Sequence, residues 1–199
     1  MCDPATSPAF SLNIDNAYFP MPVGKQLTFD GEEDGVAVHL LLEVTDEVEM
    51  VAGVETRVVV ETADEDGALH EIARNFFAAL SDGTICYFGE TVEFYEDGQV
   101  ISTEGQWRAG EGGAKPGIFM PASHQVGMSY DQELAIGVSE DHAVIVSLGE
   151  AFTVPAGTYT DTMDTEETSP LDPGVVESKR YAAGVGLIVS GPLLLTSAE

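Results

Sequence analysis

Asp82-Gly83-Thr84-Ile85-Cys86-Tyr87-Phe88-Gly89-Glu90-Thr91-Val92-Glu93-Phe94-Tyr95-Glu96-Asp97-Gly98 is the stretch on which the fold class turns. Residues 84–88 and 91–95 are rich in aromatic and β-branched side chains, which suit a pleated, half-buried strand, and Gly89-Glu90 separates them. An Asp-Gly pair stands at each end. Such pairs favour tight hairpin turns, because glycine accepts positive φ and aspartate tolerates it. Working outward, the same punctuation recurs at Asp30-Gly31, Asp34-Gly35 and Asp66-Gly67. Runs of β character fill the intervals: 36–44, 54–62, 100–107, 142–148, 152–154, 158–165, 175–182 and 187–189. In the second, Val54, Thr56, Val58 and Val60 share one face. Strand signals at this spacing indicate an all-β protein, an antiparallel meander forming a barrel or curved sandwich, rather than βαβ units.

One segment admits a helix. In residues 68–80, Leu69, Ile72, Ala73, Phe76, Phe77 and Leu80 fit helical spacing, yet His70, Ile72, Arg74 and Phe76 would also line one face of a strand. Its position between two Asp-Gly turns favours the strand. Residues 105–121 are rich in glycine and read as a long loop, and 168–174, with Pro170 and Pro173, as a second. Neither resembles an interdomain linker. The expected organisation is an N-terminal tether over 1–17 and a single β domain over 18–199.

Thirty-five acidic residues face seven basic ones, for a net charge of −28. So few scattered cations cannot form a basic patch, so nucleic acid and anionic membrane surfaces are repelled and are not expected partners. The acidity itself fits a solubilising surface, a saline habitat or cation binding. At 44% hydrophobic the chain can bury a core. No run approaches the roughly 18 apolar residues that a membrane-spanning helix needs.

The two cysteines are Cys2 and Cys86. A disulfide between them would tether a terminal tail and is not expected. No charged and apolar leader is visible. A cysteine heading a Ser/Thr/Pro-rich tail is, however, how a bacterial lipoprotein looks after its signal sequence is removed. Cys2 is therefore a candidate lipidation site, the alternative being an ordinary cysteine.

Signatures of several chemistries are missing. There is no phosphate-cradling Gly-rich loop opening a helix and no Gly-x-Ser-x-Gly elbow. His39, His70, His124 and His142 are too far apart in sequence for a local zinc motif. Calcium would use loop carboxylates, and Asp64, Asp66 and Gly67 match part of a calcium loop, but Thr62 and Ala73 occupy its first and last ligand positions. A hairpin turn explains them more simply. Asp161, Asp164, Glu166 and Glu167 form a second acidic cluster. Met120, His124 and Met128 are spaced by four, and thioether with imidazole suits Cu(I), with Cys86 as a further candidate ligand. Pro121 and Gly127 interrupt any helix that would align them. For acid–base work the candidates are Glu90 and Glu93, beside Tyr87 and Trp107. Tyr87 and Trp107, with Arg108 and Lys115 from the Gly-rich loop, are candidate ligand contacts.

Several stretches together resemble a family of uncharacterised exported bacterial β proteins, many with a lipoprotein-type N-terminus. They are Tyr18-Phe19-Pro20 with Gly24, Gly53-Val54-Glu55-Thr56-Arg57-Val58-Val59, Tyr87-Phe88-Gly89-Glu90 after Asp82-Gly83, and Tyr95-Glu96-Asp97-Gly98. Further along come Gly113-Ala114-Lys115-Pro116-Gly117-Ile118 with Met120-Pro121, Val154-Pro155-Ala156-Gly157-Thr158-Tyr159, and Tyr181 with Gly184-Val185-Gly186-Leu187. The resemblance implies an antiparallel β fold, export and envelope anchoring, and no assigned activity. Cys86 departs from it, standing where an aromatic residue is usual.

The functional expectation is a periplasmic or extracellular-facing protein that binds a small ligand or a cation, calcium before copper. Any membrane contact would come through a lipid anchor. The alternatives are a hydrolase- or lyase-type enzyme using a carboxylate pair in an aromatic-lined pocket, and a structural envelope lipoprotein.

Overall fold

The computed structural model describes residues 2–7 and 9–199; Met1 and Pro8, both within the expected tether, lie outside the described residues. All regular structure among these residues is β. Strands β1 (Asp15–Asn16) and β2 (Phe19–Pro20) form a small ribbon, and fifteen strands form one large sheet. These are β3 (Gln26–Glu33), β4 (Val36–Val51), β5 (Val54–Glu65), β6 (Ala68–Ala79), β7 (Ile85–Glu96), β8 (Gln99–Ser102), β9 (Trp107–Arg108) and β10 (Lys115–Met120). They continue as β11 (Ser129–Asp131), β12 (Glu133–Leu134), β13 (His142–Val154), β14 (Gly157–Thr168), β15 (Glu177–Ala182), β16 (Gly186–Ser190) and β17 (Leu193–Ala198).

The sheet runs β11-β13-β14-β15-β16-β17-β3-β4-β5-β6-β7-β10-β12, with β8 and β9 also pairing with β7. Its two ends, β11 and β12, belong to one stretch of chain, residues 129–134. The first half of that stretch pairs with β13 and the second with β10. One bent segment thus joins the ends, and the sheet is a nearly closed antiparallel barrel. Closure removes the open strand edges that invite aggregation. At this seam the backbones of Gly117 and Gln132 are so close that a β-carbon on Gly117 would lie 2.0 Å from the Gln132 carbonyl oxygen.

Asp34-Gly35, Asp66-Gly67 and Asp97-Gly98 make two-residue hairpins with positive φ at both positions. They lie at the same end of the barrel as the β14–β15 loop and Gly191-Pro192, and this end is the mouth. Ala52-Gly53 makes a fourth such hairpin at the opposite end, with alanine at φ 51° in the aspartate's place. Asp30-Gly31 is no turn: it lies inside β3, opposite His39 and Val38.

Other expectations change as well. Residues 68–80 take the favoured strand form, as β6. The Gly-rich 105–121 is not one loop, since it contains β9 and β10, whose backbones pair with β7. Residues 142–148 and 152–154 are one long strand, β13, interrupted by register shifts rather than a turn.

The N-terminal segment is packed structure rather than a free tether. Alternation along β7 sends Cys86 and Phe88 to the face opposite Tyr87, and Val58 pairs with Phe76 on the matching face of β5 and β6. This outward apolar stripe is buried because the N-terminal segment lies over it. Cys2 is disulfide-bonded to Cys86, the Phe10 ring meets Phe88 edge-on at 5.3 Å, and Ser11 exchanges backbone hydrogen bonds with Ala79. The chain then crosses the closed end, where Asn16 Nδ2 donates to the Gly83 and Pro121 carbonyls, and inserts Phe19 and Met21 into the core. The disulfide corrects the expectation for both cysteines. A sulfur in an S–S bond carries no thioether lipid, so Cys2 is not a lipidation site in this state, and Cys86 is not a metal ligand.

Candidate functional site

Inside the barrel, apolar and charged residues separate along its axis. Towards the closed end the wall is aromatic. Phe19 and Phe119 have ring centroids 4.6 Å apart, Phe77 lies 4.9 Å from Phe119, and Phe77 stacks on Tyr87 at 4.9 Å. Towards the mouth the inward positions are acidic: Glu61 from β5, Glu71 from β6, Glu90 from β7, Glu133 from β12 and Glu167 from β14, with Asp141 just before β13 and Lys179 from β15. A cavity of about 160 Å³ lies where the two zones meet, and Phe77, Phe119, Glu61, Glu90, Glu133 and Lys179 are among the side chains lining it.

Glu90 reaches the interior because of a bulge. Three residues apart, Tyr87 and Glu90 would point to opposite faces of a regular strand. Here Phe77 pairs with Tyr87 while Asn75 pairs with Glu90, so β7 carries one extra residue over that interval. Gly89 sits in the bulge at φ 122°, where a β-carbon would lie 2.2 Å from the Trp107 carbonyl oxygen. The chain resumes regular alternation beyond it, which sends Glu93 outward.

Among the described residues that line the cavity, Lys179 is the one cation. Lys179 Nζ donates to Glu167 Oε2 at 2.6 Å, and Gln132 Nε2 donates to Glu167 Oε1 at 3.3 Å. Burial alone would lower the Lys179 pKa, but Glu167 beside it, together with Tyr181 and Glu177, outweighs that and holds the value well above the usual lysine range. Among the described residues none of the other acids of this group forms a salt bridge, although Lys179 also attracts Glu61, Glu133 and Asp141 from further away. Burial, then Glu61 and Glu71, push Glu90 up to about 7. Burial, then Glu90 and Asp141, push Glu133 up to about 9. Glu61, Glu71 and Asp141 are also raised, each chiefly by burial. Glu133 accepts a hydrogen bond from the Ser139 hydroxyl, and the Tyr87 hydroxyl donates to Asn75 Oδ1 at 2.5 Å. Tyr130, 6% exposed and facing Glu167, Lys179 and Tyr181, keeps a buried hydroxyl with no hydrogen-bond partner among the described residues.

These shifts set a pH dependence. A carboxyl whose pKa is raised by folding contributes stability that is fully present below its unfolded value and lost as pH rises through its folded value. The melting temperature is therefore expected to fall progressively from about pH 4.5 upward, less steeply above about 7, where the Glu90 contribution is spent, and to level off with respect to this pair above about 9, where that of Glu133 is spent. Glu133→Gln removes the part of the decline that continues from about pH 7 to about pH 9 and raises the melting temperature at pH 9.5 by roughly 5 °C relative to wild type. A flat profile across this range, or an unchanged variant, contradicts the buried cluster.

The residues expected from sequence divide between the lumen and other environments. Glu90 and Tyr87 line the cavity, and Trp107 is buried with its ring edge-on to Tyr87 at 5.4 Å. Glu93 is exposed and accepts a hydrogen bond from the Tyr95 hydroxyl, so the Glu90–Glu93 pair is split between inside and outside. Arg108 pairs with Glu49 at 2.5 Å and lies over the outward Phe76 ring, and Lys115 is exposed, so neither is among the cavity's lining residues.

The metal candidates occupy three environments. Met120 is fully buried in the core, Met128 packs against the core partly buried, and His124 stands edge-on to Tyr18 at 4.8 Å. No group of three His, Cys, Asp or Glu among the described residues is arranged to hold a metal ion. Asp66 and Gly67 form the β5–β6 turn. In the second acidic cluster Asp164 pairs with Arg180, Asp161 accepts from the Tyr18 hydroxyl, and Glu167 turns inward. Sequence reasoning missed Glu61, Glu71, Glu133, Asp141, Glu167, Lys179 and Tyr130 as one site. No protein-family model, curated protein or solved structure matches the chain.

Proposed function

We propose that this chain is a binding protein whose barrel interior takes a small, positively charged ligand. The observation that carries the reading is the charge imbalance at the cavity. Glu61, Glu90 and Glu133 line it, against one lysine, Lys179, which is hydrogen-bonded to Glu167. Unpaired carboxyls held out of water are costly, and a bound cation would offset that cost while its apolar parts met the aromatic wall. Export fits the same picture, because disulfides such as Cys2–Cys86 persist in oxidising compartments. With Cys2 in that bond, the reading is of an exported protein without a lipid on this residue.

Thermal melts of the whole chain against a panel of small organic ammonium ions, alkali and alkaline-earth ions and Cu(I) test this. A cation at one hundred times its Kd should stabilise the protein by about 2.7 kcal/mol, an upward shift of roughly 5–10 °C. Neutral compounds of the same shape should give none. Glu90→Gln combined with Glu133→Gln should abolish the shift; a panel without any shift, or one unchanged in the double variant, would overturn the proposal.

A second reading keeps the carboxylate-pair enzyme but replaces Glu93 with Glu133. Glu90 and Glu133 face one cavity with unequal pKa values, an arrangement suited to a base and an acid. It requires turnover, with a bell-shaped pH profile that either Gln substitution breaks. Stoichiometric binding without product formation is the result that favours the binding protein.

A further inference from the structure

We propose that the ligand is a short primary alkylammonium, with its charged group among Glu61, Glu90 and Glu133 and a chain of about four or five carbons against Phe19, Phe77 and Phe119. This rests on the cation-binding interior proposed above and names the chemistry of its occupant. Three features of the lumen lead to it.

Glu61 of β5, Glu90 of β7 and Glu133 of β12 all line the cavity, and several carboxyl acceptors suit a group with several N–H donors better than a fully alkylated ammonium. The aromatic side chains occupy the other end, so the preferred ligand is charged at one end and apolar at the other. The space, about 160 Å³, holds about five groups the size of water, which limits the chain. Beside the cavity, next to its lining residue Lys179, the interior also holds an unused polar group. The buried Tyr130 hydroxyl, facing Lys179 and Glu167, has no hydrogen-bond partner among the described residues, although buried hydroxyls are normally paired. A protein interior evolved only for stability would place apolar side chains at these inward positions.

The experiment is calorimetric titration of the full-length protein with the n-alkylammonium series from methyl to octyl, with matched n-alkanols and tetramethylammonium as controls. Affinity should rise about fourfold per methylene up to butyl or pentyl. It should then fall at least tenfold by octyl, once the chain outgrows the space. The alkanols should not bind, and tetramethylammonium should bind at least tenfold more weakly than butylammonium. Leu42→Phe narrows the lumen and should move the optimum to a shorter chain; Glu90→Gln should weaken every member alike. Affinity independent of chain length, tighter binding of tetramethylammonium, or binding of metal ions alone would overturn this ligand class and leave the cation-binding reading standing. If neither ammonium nor metal ions bind, both fail.

Discussion

Gly117→Ala is expected to destroy the cooperative unfolding transition or to lower stability by about 4 kcal/mol or more, at the upper end of what a single substitution does. The reason is the seam. The barrel is nearly closed because residues 129–134 pair with β13 on one side and β10 on the other, and Gly117 of β10 is where the Gln132 backbone crosses. A methyl group there would meet the Gln132 carbonyl oxygen at 2.0 Å and the Asp131 carbonyl oxygen at 2.8 Å. These are backbone atoms, at the end of β11 and in the bend that leads to β12, and cannot rotate away as a side chain could. The segment would have to leave β10, β11 and β12 would open, and Tyr130, Gln132 and Glu133 would leave the interior. Loss of the transition in a thermal melt, with retained far-ultraviolet β signal, is the expected signature. Wild-type-like melting would mean that the seam is not formed as described.

The second large effect belongs to the disulfide. Cys2 and Cys86 are 84 positions apart, and closing a loop of that length restricts the unfolded chain by about 4.5 kcal/mol. Reduction, or the pair Cys2→Ser and Cys86→Ala, should lower the melting temperature by roughly 10 °C. A local event is also expected, because the bond fastens the N-terminal segment over an apolar outer stripe. Once it is cut, Phe10 and its neighbours can lift from Phe88, Phe76 and Val58, and a dye that binds apolar surface should brighten below the melting temperature. Native protein should resist alkylation until it is reduced. Two free thiols in unreduced native protein would contradict the bond. An unchanged melting temperature after reduction would contradict the stabilisation expected from closing this loop, whereas a lowered one without dye brightening would show that the segment stays docked through its other contacts.

Much of the fold was legible because its signals are local. Asp34-Gly35, Asp66-Gly67 and Asp97-Gly98 specify hairpins through φ values that few other residue pairs accept, and the runs between them alternate as strands do. Residues 68–80 were ambiguous in sequence because their apolar residues satisfy both periods; pairing with β5 and β7 decides for the strand. The failures were also physical. Asp30-Gly31 looks like a turn but sits in β3 beside Pro192 and Leu193, where the glycine allows a close approach. The one-sided Val54, Thr56, Val58 stripe was visible, but not that it faces outward under the N-terminal segment, because what covers a strand lies elsewhere in the chain.

The site shows the same division more sharply. The sequence places Tyr87 and Glu90 together, but it also offers Glu93 as the partner of Glu90, because neighbours in sequence need not be neighbours in space. The bulge at Gly89 turns Glu90 in and leaves Glu93 out. In a chain with 35 acidic residues, nothing local distinguishes Glu61, Glu133 or Glu167 from the acids of the solvated surface. A faint signal existed in strand parity: Glu61 shares a face with Val59, and Lys179 with Tyr181. By itself, then, the sequence determined a strongly acidic, antiparallel β protein, because composition, turn chemistry and period-two alternation act within a few residues. Which carboxyls are buried together, and that Cys2 meets Cys86, were decided only when the barrel brought together side chains far apart in the chain, such as Glu61 and Glu133 in one cavity and two cysteines 84 positions apart.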